Sequence, residues 1–414
     1  MGFIAKNIGI SPKKLFAITI INAGTLAWYF FISYLSFEIL FQNLTNNITL
    51  IHFGEVLFYF FAAFAAIIGS SVSNKINRKK LLMVWIFSGI LSTTLVAFVH
   101  GEIFIWILGP LLGISLGLGF PYSLSLLADC TESEQRGRVS GILLLQTFVM
   151  LAFGTLVDML INSWFIGILI ILIILRVTSL LAFFVDECEP CCKSIDKKNS
   201  KRGTWLGILT YRRFVLYFVP WMLFMVAAVI TEYILWPPLK VDLKLEIAFQ
   251  IGYPLHYVGT AICGIISGII ADRVGRRPPT VIGLILLGTS FVFMSFIINI
   301  YTIFANLMAV GMAFGFLMVV SIAVPGDLAF PKSKERFYAL ILVLPLAVYG
   351  GLGAITRVLG YTGPREFILL ILIIVLYMLI IPVWTSEETL SSEKMRQRKL
   401  KEHLQKVKEL VEGG

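Results

Sequence analysis

The chain alternates between long apolar runs and short polar interruptions. A run of about 20 apolar residues is long enough to cross roughly 30 Å of hydrocarbon as a helix. Twelve such runs can be marked, over 15–37, 53–73, 81–99, 103–127, 139–160, 164–185, 214–235, 250–271, 279–298, 301–324, 337–358 and 366–385. The interruptions group them into a first set of six (1–185), a charged connector (186–213), a second set of six (214–385) and a polar tail (386–414). The predicted fold is therefore all-α and integral to a membrane, with twelve transmembrane helices as two pseudo-symmetric six-helix bundles. Leu400, Leu404, Val407 and Leu410 in the tail suit either a short amphipathic helix on the membrane surface or a frayed end.

The interruptions also repeat. Asn74-Lys75-Ile76-Asn77-Arg78-Lys79 and Asp272-Arg273-Val274-Gly275-Arg276-Arg277 each close one apolar run and open the next, 198 residues apart. The same offset of 198 relates Asp129 to Asp327, Gly113 to Gly311, Gly117 to Gly315 and Arg138 to Arg336. One register shared by so many landmarks predicts two copies of one unit. Duplicated membrane halves with a cavity between them are the architecture of secondary transporters.

Composition agrees: 58% of residues are hydrophobic, 14% are charged and the mean hydropathy is +0.89, which excludes ordinary soluble classes. A net charge of +10 could suggest nucleic acid as a partner. The distribution of the 34 Lys and Arg argues against that. With the N-terminus placed in the cytoplasm, 29 fall in cytoplasmic segments and three, Lys240, Lys244 and Arg365, fall outside. This is the positive-inside bias of a multi-pass protein, here expected in the cell membrane with both termini cytoplasmic. Cys130, Cys188, Cys191 and Cys192 then lie on the cytoplasmic side, where reduced thiols are expected. No metal or cofactor is implied. Asn43 and Asn47, in the 38–52 loop, fit the glycosylation acceptor pattern.

Gly268-Ile269-Ile270-Ala271-Asp272-Arg273-Val274-Gly275-Arg276-Arg277 resembles the signature loop of the major facilitator superfamily, Gly-x-x-x-Asp-Arg-x-Gly-Arg-Arg, and lies between spans eight and nine as it does there. The first copy departs from it, with Asn74 where the family carries Asp. The resemblance implies that Asn74, Arg78, Asp129, Arg138, Asp272, Arg273, Arg276, Asp327 and Arg336 form a gating latch between the halves, weaker where Asn74 lacks charge. Physically, carboxylates at helix ends beside guanidinium groups make charge-assisted hydrogen bonds. Arg138 followed by Gln146 is similar to the sugar porters, but their Gln-Gln-Leu-Ser-Gly segment has no counterpart in span seven, so the subfamily stays unassigned.

Polar side chains inside spans are costly in lipid, which makes them candidate solute contacts. Asn22, Thr25 and Tyr29 share one face of span one, and Gln146, Arg176 and Tyr349 come from spans five, six and eleven. Arg176 can be read either as an interhelical structural partner or as a group for an anionic solute or a proton relay. Glu232 reads as an interfacial charge, and His256 as a packing residue. Gly113/Gly117 and Gly311/Gly315 allow close helix approach, and Pro121 and Pro345 predict local breaks.

With no phosphate-binding loop in the sequence, ATP drive is not expected. The expected function is secondary active transport of a small solute by alternating access, proton-coupled, by a monomeric non-enzyme in a lipid bilayer. The alternatives are a facilitative uniporter, a multidrug-type exporter, or a transporter-like receptor, scramblase or scaffold.

Overall fold

A computed structural model describes residues 11–33, 37–72, 78–161, 164–184, 203–236, 246–295, 299–330, 333–359 and 365–389. The helices are α1 Pro12–Phe31, α2 Phe37–Gln42, α3 Ile48–Val72, α4 Arg78–Leu95, α5 Ile105–Gly117, α6 Phe120–Asp129, α7 Arg136–Leu160 and α8 Phe165–Val177. They continue as α9 Trp205–Leu209, α10 Arg212–Ile230, α11 Glu246–Arg273, α12 Arg277–Ser295, α13 Ile300–Leu328, α14 Lys334–Tyr338, α15 Leu344–Leu359 and α16 Arg365–Trp384. Among the described residues there is no strand. Ten helical segments are long and apolar enough to cross a membrane, and Lys80–Leu95 and Phe165–Leu181 are shorter apolar helices. Expected and observed ends differ by a few residues, as at α11, which begins at Glu246 instead of 250.

Local chemistry sets several of these ends. Ser11 caps α1 ahead of Pro12, and Asn299 and Thr302 form a reciprocal capping box on α13. Asn47 accepts from the amides of Thr49 and Leu50 where α3 begins. Pro121 opens α6 after the break at Leu118–Gly119, and Pro345 follows a π-helical turn over Ala339–Val343. Both breaks fall where the prolines predict them. The charged connector of 186–213 contains a short helix near its end, α9, capped by Thr204. The tail segment 394–410 lies outside the described residues.

Two helix pairs carry the internal repeat into three dimensions. A Cβ at Gly113 or Gly117 of α5 would overlap the carbonyl oxygens of Phe58 and Ala62 on α3. A Cβ at Gly311 or Gly315 of α13 would meet those of His256 and Thr260 on α11. His256 and Thr260 lie 198 residues beyond Phe58 and Ala62, so the partners repeat with the same offset as the glycines.

Contacts between the two sequence halves run along a few seams. α7 packs on α11 and α13, α3 on α15, and α6 on α14. The α7–α11 seam is close because glycines meet across it: a Cβ at Gly268 would lie 2.5 Å from the Gly137 oxygen, and one at Gly141 would lie 2.8 Å from the Gly264 oxygen. Large apolar side chains such as Phe60, Leu91, Phe153, Met378 and Ile381 point outward from the assembly, as lipid contact requires.

Candidate functional site

The close α7–α11 seam puts Asp272, at the end of α11, against the start of α7. Its carboxylate accepts from the Gly137 amide at 2.8 Å, the Arg138 amide at 2.9 Å and Arg138 Nε at 3.1 Å. An anion on first-turn amides is favoured by both hydrogen bonding and the helix dipole. Asp272 also accepts from Arg276 Nη1 at 2.9 Å, and Arg276 Nε donates to Asp327 at 2.9 Å. Burial alone would lower the Arg276 pKa; Asp327 and Asp272 outweigh it and hold the guanidinium above its usual value.

Besides Arg138–Asp272, two further ion pairs join the halves at the same end. Arg136 pairs with Asp327, and Lys334 pairs with Asp129. Lys334 is the 198-residue counterpart of Arg136, and Asp327 is that of Asp129. The cross-links are therefore one interaction made twice with the halves exchanged. Ser125 adds another contact, donating to Glu335 at 3.1 Å.

The expected latch residues divide accordingly. Asp129, Arg138, Asp272, Arg276 and Asp327 come together in this network. Arg273 is exposed and makes no ion pair among the described residues. Arg336 donates to the Gly203 carbonyl at 2.7 Å and meets no carboxylate there. Asn74 and the Arg78 side chain lie outside the described residues. Arg136 and Lys334 were missed, although their equal offset could have revealed them. Gly275, at φ +126°, turns the chain into α12, whose first amides are capped by Glu388. Cys130 is disulfide-bonded, against the reduced state expected for it.

The opposite end holds one further cross-link. Arg357 of α15 donates to both oxygens of Glu55 on α3, at 2.6 and 2.5 Å. Glu55 is 1% exposed, and the Arg357 guanidinium lies 4.9 Å from the centre of the Tyr233 ring. Beside it, Tyr29 donates to the Leu346 carbonyl at 2.9 Å, and the Tyr59 ring covers Gly350 so closely that a Cβ there would overlap it. Sequence reasoning passed over Glu55, a lone carboxylate near the start of a long apolar run.

Between these two ends is a cavity of about 50 Å³. The rings of Phe30, Phe148, Phe224 and Phe314 line it, with Glu232, His256 and Tyr349 as polar groups. Phe314 is the hub: its ring lies 5.8 Å from Phe30, 5.9 Å from Phe148 and 5.5 Å from Phe224. Glu232 sits in a π-helical turn over Thr231–Leu235 and accepts from the Tyr349 hydroxyl. Its side chain is partly buried on the cavity lining. His256 Nδ1 donates to the Leu307 carbonyl at 3.3 Å, yet its ring also faces the cavity.

Of the six expected solute contacts, only Tyr349 lines this cavity. Asn22 accepts from Ser123 Oγ at 2.7 Å and donates to the Ser123 carbonyl at 3.3 Å, joining α1 to α6. Thr25 accepts from Arg176 Nη1 at 3.0 Å, and Arg176 Nη2 donates to the Ser115 carbonyl at 2.5 Å. The Arg176 guanidinium lies between Trp28 and Trp85, 5.0 and 4.8 Å from their ring centres. It is completely buried among first-half helices and is not among the residues that line the cavity. The short side chains of Asn22 and Thr25 end inside their own helix group, whereas the longer Tyr29 reaches α15. Gln146 is partly buried, and neither end of its amide has a partner among the described residues.

Comparison with known proteins adds one finding. The family model described as Major Facilitator Superfamily matches residues 15–341. No curated protein matches the chain.

Proposed function

The chain belongs to the major facilitator superfamily of membrane transporters, and we propose that it is a secondary transporter moving one small solute by alternating access. The reading takes residues 1–185 and 214–385 as two bundles that rock about the cavity. It takes the Asp272 end as cytoplasmic, following the positive-inside distribution, and the Glu55 end as external.

The observation that carries the proposal is the pair of cross-links at opposite ends of one cavity. Inside, the Arg136–Asp327, Arg138–Asp272 and Lys334–Asp129 pairs tie the halves together, and Arg276 braces Asp272 and Asp327 from within the second half. Outside, Glu55–Arg357 does so. Ion pairs of this kind have two discrete states, made and broken, which is what a switching interface needs. With both sets formed the cavity is occluded. Opening one set while the other holds gives access from one side at a time. Glu55 and Glu232 are acids within the spans through which movement could be coupled to protons.

The test uses Val310→Cys, whose side chain enters the cavity lining, in a background without other cysteines. Impermeant thiol reagents applied to either face of sealed vesicles are expected to reach it, each at a rate set by the latch on that face. Reaction from one face only, under all conditions, contradicts alternating access.

A further inference from the structure

The α7–α11 seam changes character along its length. At one end Gly137, Gly141, Gly264 and Gly268 bring the two backbones together. Further along, where α11 carries Pro254 inside the helix, the same two helices bound a groove of about 350 Å³. Val149 and Leu156 of α7 and Val258 of α11 stand at its rim, and all three are exposed on the outer surface of the assembly. Its floor is Phe148 and Tyr257, both buried, with ring centres 5.8 Å apart. These two residues also line the central cavity. One pair of rings is thus the partition between groove and cavity.

We propose that this groove is a lateral portal through which a lipophilic solute dissolved in the bilayer reaches the cavity. Position and continuity favour that occupant. The rim lies within two segments long and apolar enough to cross a membrane, Arg136–Leu160 and Gly252–Arg273, so it meets hydrocarbon and whatever hydrocarbon dissolves. A groove that ends on the cavity wall suits a molecule that travels on, whereas a resident lipid needs no such ending. Its described lining residues are apolar apart from the hydroxyls of Thr155 and Tyr257, and Thr155 donates to the Leu151 carbonyl at 2.9 Å. Moving an apolar body from lipid tails into such a lining brings no hydrophobic gain, so the solute is held weakly, by packing, and can pass on. The groove is of a size that takes drug-sized molecules, while the cavity, at about 50 Å³, takes the same molecule only when the partition moves. Phe148 is placed to carry that motion. Its ring packs on Phe30 of the first half at 5.7 Å and on Phe314 of the second at 5.9 Å, so rocking of the halves shifts it. The inference rests on the transport reading for taking the cavity as the solute site.

The experiment follows cysteine labelling in sealed vesicles, in a background without other cysteines, with Val310→Cys reporting the cavity and Thr155→Cys the groove. The probes are pyrene maleimide, which dissolves in the bilayer, and an impermeant trimethylammonium thiosulfonate, which arrives from water. Pyrene maleimide is expected to label both positions. Ala152→Trp and Val258→Trp fill the groove from opposite walls. Each should slow pyrene labelling of Val310→Cys by roughly tenfold or more, the scale of an overpacking barrier, and leave the impermeant reagent unaffected. Phe153→Trp, exposed on the same helix and outside the groove lining, should leave both rates unchanged. Melting temperatures identify any variant that fails to fold, and the second plug then carries the test. Unchanged pyrene labelling of Val310→Cys in a folded plug variant overturns the proposal. So does labelling of Thr155→Cys without labelling of Val310→Cys, the result for a groove that holds membrane lipid only. Impermeant labelling that fails while pyrene labelling persists counts against the rocking mechanism alone, and the reverse counts against the portal alone.

Discussion

Arg136, at the first turn of α7, is ion-paired with Asp327, at the end of α13. The same contact is made again by Lys334 and Asp129, each displaced by 198 residues, with donor and acceptor halves exchanged. A duplicated chain folding about a pseudo-two-fold axis produces this reciprocity directly. It also means that the inner closure is made of two equivalent clasps, with Asp272 and Arg276 filling the space between them.

The first prediction concerns Asp272. Its carboxylate is fully buried and among the described residues accepts four hydrogen bonds, two of them from α7 amides. Asp272→Asn keeps the shape but leaves Arg138 and Arg276 short of counter-charge. Breaking such a buried arrangement costs about 3–5 kcal/mol, so the inner-closed state should be strongly depleted. Transport in reconstituted vesicles should fall much further than for Asn74→Ala, since position 74 carries no charge to lose. Equal losses at matched expression would remove the asymmetry between the two copies.

At the outer end, Glu55→Gln and Arg357→Gln should each favour outward opening. Hydrogen bonds to charged groups contribute roughly 1.5–3 kcal/mol each, so the rate at which external reagent reaches Val310→Cys should rise on the order of tenfold or more. The exchange Glu55→Arg with Arg357→Glu should recover much of the wild-type rate. No change in either single variant would show that the pair does not gate.

Arg176 is predicted to hold structure and not solute. Arg176→Lys retains charge but loses the planar fork that serves Thr25 and Ser115 and stacks between two indoles. Both Arg176→Lys and Arg176→Gln should lower the melting temperature, Gln more, with solute affinity unchanged in the folded fraction. A selective loss of affinity at unchanged melting temperature would return Arg176 to the solute site.

The repeat makes its own prediction in the glycines. Gly117→Val and Gly315→Val both force a side chain into a backbone carbonyl, at Ala62 and Thr260. Overpacking of this kind typically costs about 1–3 kcal/mol, so both should melt earlier and by similar amounts. Gly351→Ala, whose nearest neighbour would be Tyr59 Cβ at 3.8 Å, should be neutral.

Much of the fold was legible because membrane crossing imposes a coarse rule, a long apolar run per span, that needs no knowledge of partners. The latch was legible in part for the same reason the repeat was: Asp129 and Asp327 stand at one offset. Extending that offset to Arg136 and Lys334 would have found the clasps. The cavity was not legible. Asn22, Thr25 and Arg176 announce that polar groups need partners inside a span, but not whether the partner is a solute or a neighbouring helix, and here it is the helix. The rings of Phe30 and Phe314 look no different in sequence from those of Phe60 and Phe153, which face outward.

The central claim is that the inner and outer closures alternate, and distances across both ends test it together. Spin labels at Glu132 and Val274 report the inner end, and labels at Thr49 and Tyr301 report the outer end; all four positions are exposed. Electron-spin distance measurements on wild-type protein and on Asp272→Asn should show the two ends responding differently. In the variant the inner distance is expected to lengthen, while the outer distance stays short or shortens further. Both distances unchanged, or both lengthening together, would contradict alternating access by rocking halves.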